Sequence, residues 1–318
     1  MSRRPEAAVR VVALAGGVGG AKLAHGLQQV LAPGELAVVV NTADDVERHG
    51  LLVCPDHDTV LYTLAGLADR ERGWGLAGET WSALDQLGRL GEETWFALGD
   101  RDLALHVVRT ARIRAGARLT EVALEVAARL GVPTRILPAT DAPIRTRVRT
   151  PDGWLDFQDY FVRLRCEPDV LEVAVDGMAD ARPTPEVLDA LSAAERVVIC
   201  PSNPVVSIGP ILAVPGMRAA IEAARVRGVA VVAVSPIVAG RALRGPADRM
   251  LISLGGEASV VEVARRYAGL ADALVIDEAD AELSGAVAVT GVRPVVAPAV
   301  MTDDAARAAL ARAALAAA

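Results

Sequence analysis

Aromatic side chains are scarce in this sequence: Phe, Trp and Tyr together make up 3% of its 318 residues. The core must therefore be filled mainly by Ala, Val, Leu and Ile. Cysteine is nearly absent too. Cys54, Cys166 and Cys200 are far apart, which excludes a metal-spaced pair and a disulfide framework and fits a reducing compartment. Only four histidines occur, His25, His49, His57 and His106, too few and too scattered for a His-rich zinc centre. No apolar run reaches membrane-span length. The polar start, with Arg3, Arg4, Glu6 and Arg10, leads into Val11 to Ala15 without the apolar region and cleavage context of a secretory signal. The expectation is a cytoplasmic protein with no membrane partner. A formal charge of −7 without a long basic run gives no support to nucleic-acid binding. No fixed-period repeat is found.

Apolar residues make up 52% of the chain and charged ones 23%, the balance of a folded soluble protein and not of a disordered one. Val11 to Ala15 reads as a buried strand, followed by Gly16-Gly17-Val18-Gly19-Gly20, a helix over Ala21 to Leu31, and a second strand over Leu36 to Val40. Strand, glycine turn, helix, strand opens a parallel α/β domain. Further helices are expected from Asp56 (Asp56 or Asp58 capping), over 80–90, from Asp100, and from Glu121 with Thr120 as cap. Between 143 and 190 the texture changes to alternation around Pro151-Asp152-Gly153, which predicts an antiparallel insert. Parallel strands resume over 196–200, 229–234 and 273–276. The expected fold is therefore α/β: a Rossmann-like open, mainly parallel sheet flanked by helices, with a smaller inserted antiparallel or helical subdomain. Its parts are an N-terminal extension (1–10), one catalytic domain (11–300) and an Ala-rich C-terminal helix or tail (301–318).

Consecutive glycines after a strand permit positive φ and close backbone approach, so Gly16, Gly17, Gly19 and Gly20 can offer N–H groups to phosphate, with Lys22 adding charge. A tight strand–helix turn with a surface lysine is the alternative reading of these residues. The loop lacks the Gly-Lys-Ser/Thr ending of a P-loop. Lys22 also occupies the third small position of the dinucleotide fingerprint, which disfavours an NAD-dependent oxidoreductase. Asn41, Thr42, Asp44 and Asp45 follow the second strand, where paired carboxylates can hold a metal or cap a turn. Asp58 and Thr59 suit a polar substrate. Arg101, between Asp100 and Asp102, suits phosphate or a heterocycle, or else a salt-bridged surface turn. Ser202, Asn203 and Ser235 stand at later strand ends, the ligand side of such sheets.

Taken in order, these segments resemble the CofD/FbiA family, the 2-phospho-L-lactate transferases of deazaflavin cofactor F420 biosynthesis. The resemblance runs from Ala15-Gly16-Gly17-Val18-Gly19-Gly20-Ala21-Lys22 and Val40-Asn41-Thr42-Ala43-Asp44-Asp45 through Cys54-Pro55-Asp56-His57-Asp58-Thr59 and Leu98-Gly99-Asp100-Arg101-Asp102-Leu103. It continues in Pro201-Ser202-Asn203-Pro204 and Ser235-Pro236-Ile237. It implies a Mg²⁺-assisted transfer of a phospho-three-carbon acid from a guanylyl-activated donor to the terminal hydroxyl of Fo (7,8-didemethyl-8-hydroxy-5-deazariboflavin), with release of GMP. By the same resemblance Asp58, Thr59 and Arg101 serve Fo, and Asp45, Asp58 and Arg101 serve catalysis. Gly16, Gly17, Gly19, Gly20, Lys22, Asn41, Ser202, Asn203 and Ser235 line the donor side, with Asp44 and Asp45 holding Mg²⁺. The Gly-Gly-Val-Gly-Gly form leans toward an enolpyruvyl rather than a phospholactyl donor. A non-catalytic nucleotide-binding regulator is the competing reading, and a homodimer is the default assembly.

Overall fold

A computed structural model of the chain describes residues 9–317; most of the expected N-terminal extension lies outside them. Its strands are β1 (Val11–Ala15), β2 (Leu36–Val40), β3 (Val46–Arg48), β4 (Leu51–Val53), β5 (Arg135–Pro138), β6 (Arg145–Thr150), β7 (Gly153–Asp156), β8 (Glu172–Asp176), β9 (Arg196–Ile199), β10 (Ala230–Val234), β11 (Ile237–Val238), β12 (Arg241–Ala242), β13 (Ala273–Ile276) and β14 (Arg293–Val296). Seven of them form one parallel sheet in the order β14-β13-β10-β9-β1-β2-β5. Counted along the sheet this is the doubly wound order, which reverses between β1 and β9. The expected Rossmann-like fold is present.

The apolar strand runs have no polar alternation because both faces of the sheet are covered. Val12, Leu14, Ala37 and Val39 point into one core, and Val11, Ala13, Ala15, Val38 and Val40 into the other. Helices α1 (Gly17–Val30) and α2 (Pro55–Leu64) pack on the second face, followed along the chain by α3 (Ser82–Arg89), α4 (Asp100–Arg114) and α5 (Leu119–Arg129). The Ala-rich terminus forms the helix Asp304–Ala316, capped by Asp303 and lying against α1.

The expected antiparallel insert is a three-stranded sheet, β7-β6-β8. Its small core joins Val148, Phe157, Tyr160, Cys166 and Val170 to Val206 and Met250 of the main body. The insert is also tied to the end of β2, where the Thr146 N–H donates to the Ala43 carbonyl at 2.7 Å.

Three local expectations are corrected. Helix α1 begins at Gly17, not Ala21. Helix α2 has Cys54 at its N-cap with no side-chain cap bond, so neither Asp56 nor Asp58 caps it. Helix α5 begins at Leu119, and the Thr120 hydroxyl donates to Asp141 at 2.7 Å instead of capping.

Candidate active site

The glycine segment is the first turn of α1, not a separate loop, and its glycines are demanded by contact. A Cβ on Gly19 would collide with the Pro201 carbonyl oxygen, where the chain leaves β9. Gly17 has φ +62°, a left-handed conformation that L side chains adopt at a cost. The Gly16 N–H donates to the Ser202 hydroxyl at 3.0 Å, bracing the turn against its neighbour. Gly16, at the N-cap, has no side chain to offer, and the Asp56 carboxylate lies against the turn and accepts from the Gly17 N–H. The rest of the turn lines a cleft at the β1/β9 reversal, where helix N–H groups attract phosphate. Gly19→Ala is expected to cost about 1–3 kcal/mol in urea unfolding. An unchanged midpoint would mean that the Pro201 turn has room to move.

That cleft encloses about 970 Å³, at the upper end of ligand pockets. Gly16, Gly17, Gly19, Lys22, Asp44, Thr59, Ser202, Asn203 and Ser235 line it, as does Asp56. Its basic side chains are Lys22, Arg165, Arg244 and Arg249, suited to an anionic ligand. Of the ten aromatic residues in the chain, five line this cleft: Trp74, Trp95, Phe96, Phe157 and Phe161. Phe157 and Phe161 stack with centroids 5.5 Å apart, and Arg48 covers Trp95 at 4.2 Å. A sequence so poor in aromatics has put half of them where a flat heterocycle can stack.

The two carboxylates facing the cleft are Asp44 and Asp56. Thr146 donates to Asp44 Oδ1 at 3.1 Å, and the Gln158 amide donates to the Asp44 carbonyl at 2.9 Å, so the insert holds Asp44 in place. Asn41 does the same for Asp56, donating to Oδ2 at 3.0 Å. Burial raises both carboxyls, Asp56 to about 6 and Asp44 well above the usual range, and the Asp56 charge raises Asp44 further. Two buried, mutually repelling carboxylates with oxygen-only donors fit a small hard dication such as Mg²⁺, which would relieve the repulsion.

Asp45, Asp58, Asn41, Gly20 and Arg101 stand outside the cleft lining. Asp45 is buried behind Asp44, with one oxygen unpartnered; burial pushes it up to about 7 against the pull of Arg145. Asp58 is buried and gripped by both terminal nitrogens of Arg109, one at 3.0 Å. Burial alone would raise its pKa, but Arg109, His57 and His106 together outweigh that and hold the carboxyl far below its ordinary range. His106 extends this cluster to Asp102 at 3.2 Å, and Tyr62 donates to Asp102. Asp58, Asp102 and His106 bring potential ligand atoms within 4.8 Å of one another, yet the guanidinium already neutralises Asp58. Arg101 lies at the surface with its guanidinium on the Ala77 carbonyl. The hydroxyl of Ser235 and the amide of Asn203 serve their own turns, bonding Ile237 and the N–H groups of Val205 and Val206.

The sequence profile described as "2-phospho-L-lactate transferase CofD" matches residues 11–309, nearly the whole chain. The chain belongs to the CofD family. Among similar proteins, the phosphoenolpyruvate transferase of Streptomyces griseus subsp. griseus is 44% identical over 96% of this chain and 98% of its own length. The 2-phospho-L-lactate transferase of Methanosarcina mazei is 40% identical over 85% of this chain and 88% of its own. A UPF0052-family protein from Bacillus halodurans shares the fold at TM-score 0.61 and 17% identity, covering 97% of this chain and 99% of its own. In this CofD-family chain no helix among the described residues is long and apolar enough to cross a membrane. Sequence reasoning missed Asp56, read as a cap, together with Arg109 and the arginines Arg165, Arg244 and Arg249. The adjacent Trp95 and Phe96, and Phe157 and Phe161 four residues apart, were the local signals for the aromatic wall.

Proposed function

We propose that this protein transfers a phospho-three-carbon-acid group from a guanosine-diphosphate-activated donor to the terminal ribityl hydroxyl of Fo, releasing GMP. The carrying observation is a single cleft that combines a glycine-built helix N-terminus, basic side chains, two repelling carboxylates and an aromatic wall. The 44% identity to a phosphoenolpyruvate transferase favours the enolpyruvyl donor and dehydro-F420-0 as product over phospholactate and F420-0.

In this reading the hydroxyl oxygen of Fo bonds to the phosphorus that carries the acid. The bond from that phosphorus to the bridging oxygen breaks, and GMP leaves with that oxygen. Asp44 and Asp56 would hold Mg²⁺, which would supply positive charge at the phosphoryl group. The first turn of α1 orients the donor phosphates, and placing the hydroxyl in line supplies much of the rate. Asp58, held ionised by Arg109, can accept a hydrogen bond but not the hydroxyl proton near neutrality. The hydroxyl proton leaves to solvent or to Asp45, whose carboxyl burial pushes up to about 7 in the metal-free protein. Thr59 meets Fo at the cleft, while Arg101 and Asp58 stand outside its lining.

The test is an assay of purified protein with Fo, Mg²⁺ and separately supplied enolpyruvyl, lactyl and glyceryl guanosine diphosphates. Mass spectrometry should find equal amounts of GMP and a phosphodiester of Fo, highest with the enolpyruvyl donor. No product from any well-formed donor would sink the transferase reading.

A further inference from the structure

Beside the main cleft lies a second cavity of about 140 Å³, bounded by α1, α2 and residues 66–75. It shares Val18, Lys22, Thr59, Trp74 and Arg244 with the cleft, so it is a side pocket and not a separate site. At that size it falls below the roughly 300 Å³ that begins the range for drug-sized ligands. Neither guanine with its ribose nor a tricyclic deazaflavin fits there; a three-carbon fragment does.

The pocket is positively charged. Lys22, Arg70, Arg244 and Arg307 line it against the single carboxylate of Asp69. Asp69 pairs with Arg72 at 3.2 Å, and Asp304 pairs with Arg70 and Arg307 at 3.0 and 3.1 Å. Among the described residues neither Lys22 nor Arg244 has a carboxylate within ion-pair distance. The Lys22 ammonium reaches only the Met301 carbonyl, at 3.3 Å. Arg307 is buried with its Nε unpartnered. Burial, together with the charges of Arg307 and Arg244, pulls the Lys22 pKa down, the mark of cations gathered without an anion. The Arg244 guanidinium lies over Gly73, where a Cβ would come within 2.6 Å of Nη1. Any side chain at 73 would push that guanidinium aside.

We propose that this side pocket seats the carboxylate-bearing three-carbon end of the donor, with Lys22 and Arg244 as counter-charges, so that it selects the acid transferred. The assignment rests on the transferase reading above and extends it. The donor's diphosphate already has the α1 N-terminus and the dication held by Asp44 and Asp56. Its carboxylate needs a separate partner, and Lys22 and Arg244 are cations without one. Val18 and Trp74 supply apolar walls for the carbon skeleton. A nucleotide phosphate is the other oxyanion these cations could take, and the two sources are separable.

The experiment compares GDP with enolpyruvyl-diphosphoguanosine by calorimetric titration against wild type, Arg244→Gln and Arg244→Lys, with Mg²⁺ present. Arg244 is exposed, so its replacement leaves the core intact, and a circular dichroism melt verifies this. Arg244→Gln is expected to weaken the enolpyruvyl donor roughly ten-fold or more, the usual scale of a lost charged hydrogen bond, while GDP affinity stays within about two-fold. Arg244→Lys should recover part of the loss. Equal weakening of both ligands would assign the pocket to a nucleotide phosphate and overturn the proposal, as would no change in either. Wild type that binds the donor yet makes no product with Fo would sink the transferase reading and leave the pocket assignment standing. Normal turnover with an unchanged donor-over-GDP preference in Arg244→Gln would sink the pocket assignment alone.

Discussion

Arg109→Met is expected to cost about 3–5 kcal/mol in urea unfolding, because it strands the Asp58 carboxylate in a buried site. Arg109 is 2% exposed and Asp58 5%. Neither has water to replace the other, and the remaining neighbours of Asp58 compensate poorly. His57 lies 3.4 Å away and His106 3.8 Å; each would have to be protonated inside the protein to take over the charge. The double replacement Asp58→Leu/Arg109→Met should regain most of the lost stability, since it removes both desolvated charges together. If the single replacement leaves the urea midpoint unchanged, the pair is a bystander. The same series bears on catalysis: Arg109→Met should let the Asp58 pKa rise and give the rate a new acidic limb. A merely structural defect would lower activity equally at every pH.

The second large effect concerns Asp44 and Asp56. Asp44→Asn and Asp56→Asn are each expected to lower kcat/KM by roughly 100-fold or more while making the metal-free protein more stable at pH 8. Both carboxyls are raised in the folded state, Asp56 to about 6, and Asp45 behind them to about 7. Between the unfolded value near 4 and these folded values, the native state holds protons that the unfolded chain has released. Stability from Asp56 and Asp45 is thus complete at low pH and lost as pH rises through about 6 to 7, and Asp44 acts in the same direction. Asp58, shifted downward, gives the opposite trend, but only below the ordinary carboxylate range. Metal-free wild type should therefore melt at a higher temperature at pH 5.5 than at pH 8. Mg²⁺ at 100 times its Kd should restore about 2.7 kcal/mol at pH 8 and much less at pH 5.5. The asparagine variants should flatten both responses. An Asp56→Asn protein that still gains stability from Mg²⁺ as wild type does would remove Asp56 from the metal site.

Much of the frame was legible because the strands are dense apolar runs with nothing else to do. Val11–Ala15, Leu36–Val40 and Ala273–Ile276 occur as read. Strand β14 was missed because Pro294 argues against a strand; it is tolerated because β14 is at the sheet edge. The start of α1 was misplaced because glycines are poor helix formers, and the reason to place them there, the Pro201 carbonyl, lies far along the chain. The cleft shows the same division. Polar residues at strand ends were found from topology, and most of them line it. Arg109 meets Asp58 across 51 residues of sequence, and no local pattern announces such a pairing. Asp56 was visible but ambiguous: a carboxylate in the first turn of a helix caps it far more often than it faces a ligand.

The strand order also bears on how the protein is made. β1 lies between β2 and β9, with Val11 opposite both Leu36 and Arg196, and the cleft that begins at Gly16 is closed by residues 299–302. On the ribosome, β1 has only one of its two neighbours until some two-thirds of the chain has emerged. The glycine turn at the start of α1, the first part of the cleft synthesised, waits for nearly the last. Such long-range closure is slow and leaves apolar strand edges open in the meantime. Ligands can therefore stabilise the finished molecule but cannot assist its early folding, since no partial chain carries a complete site.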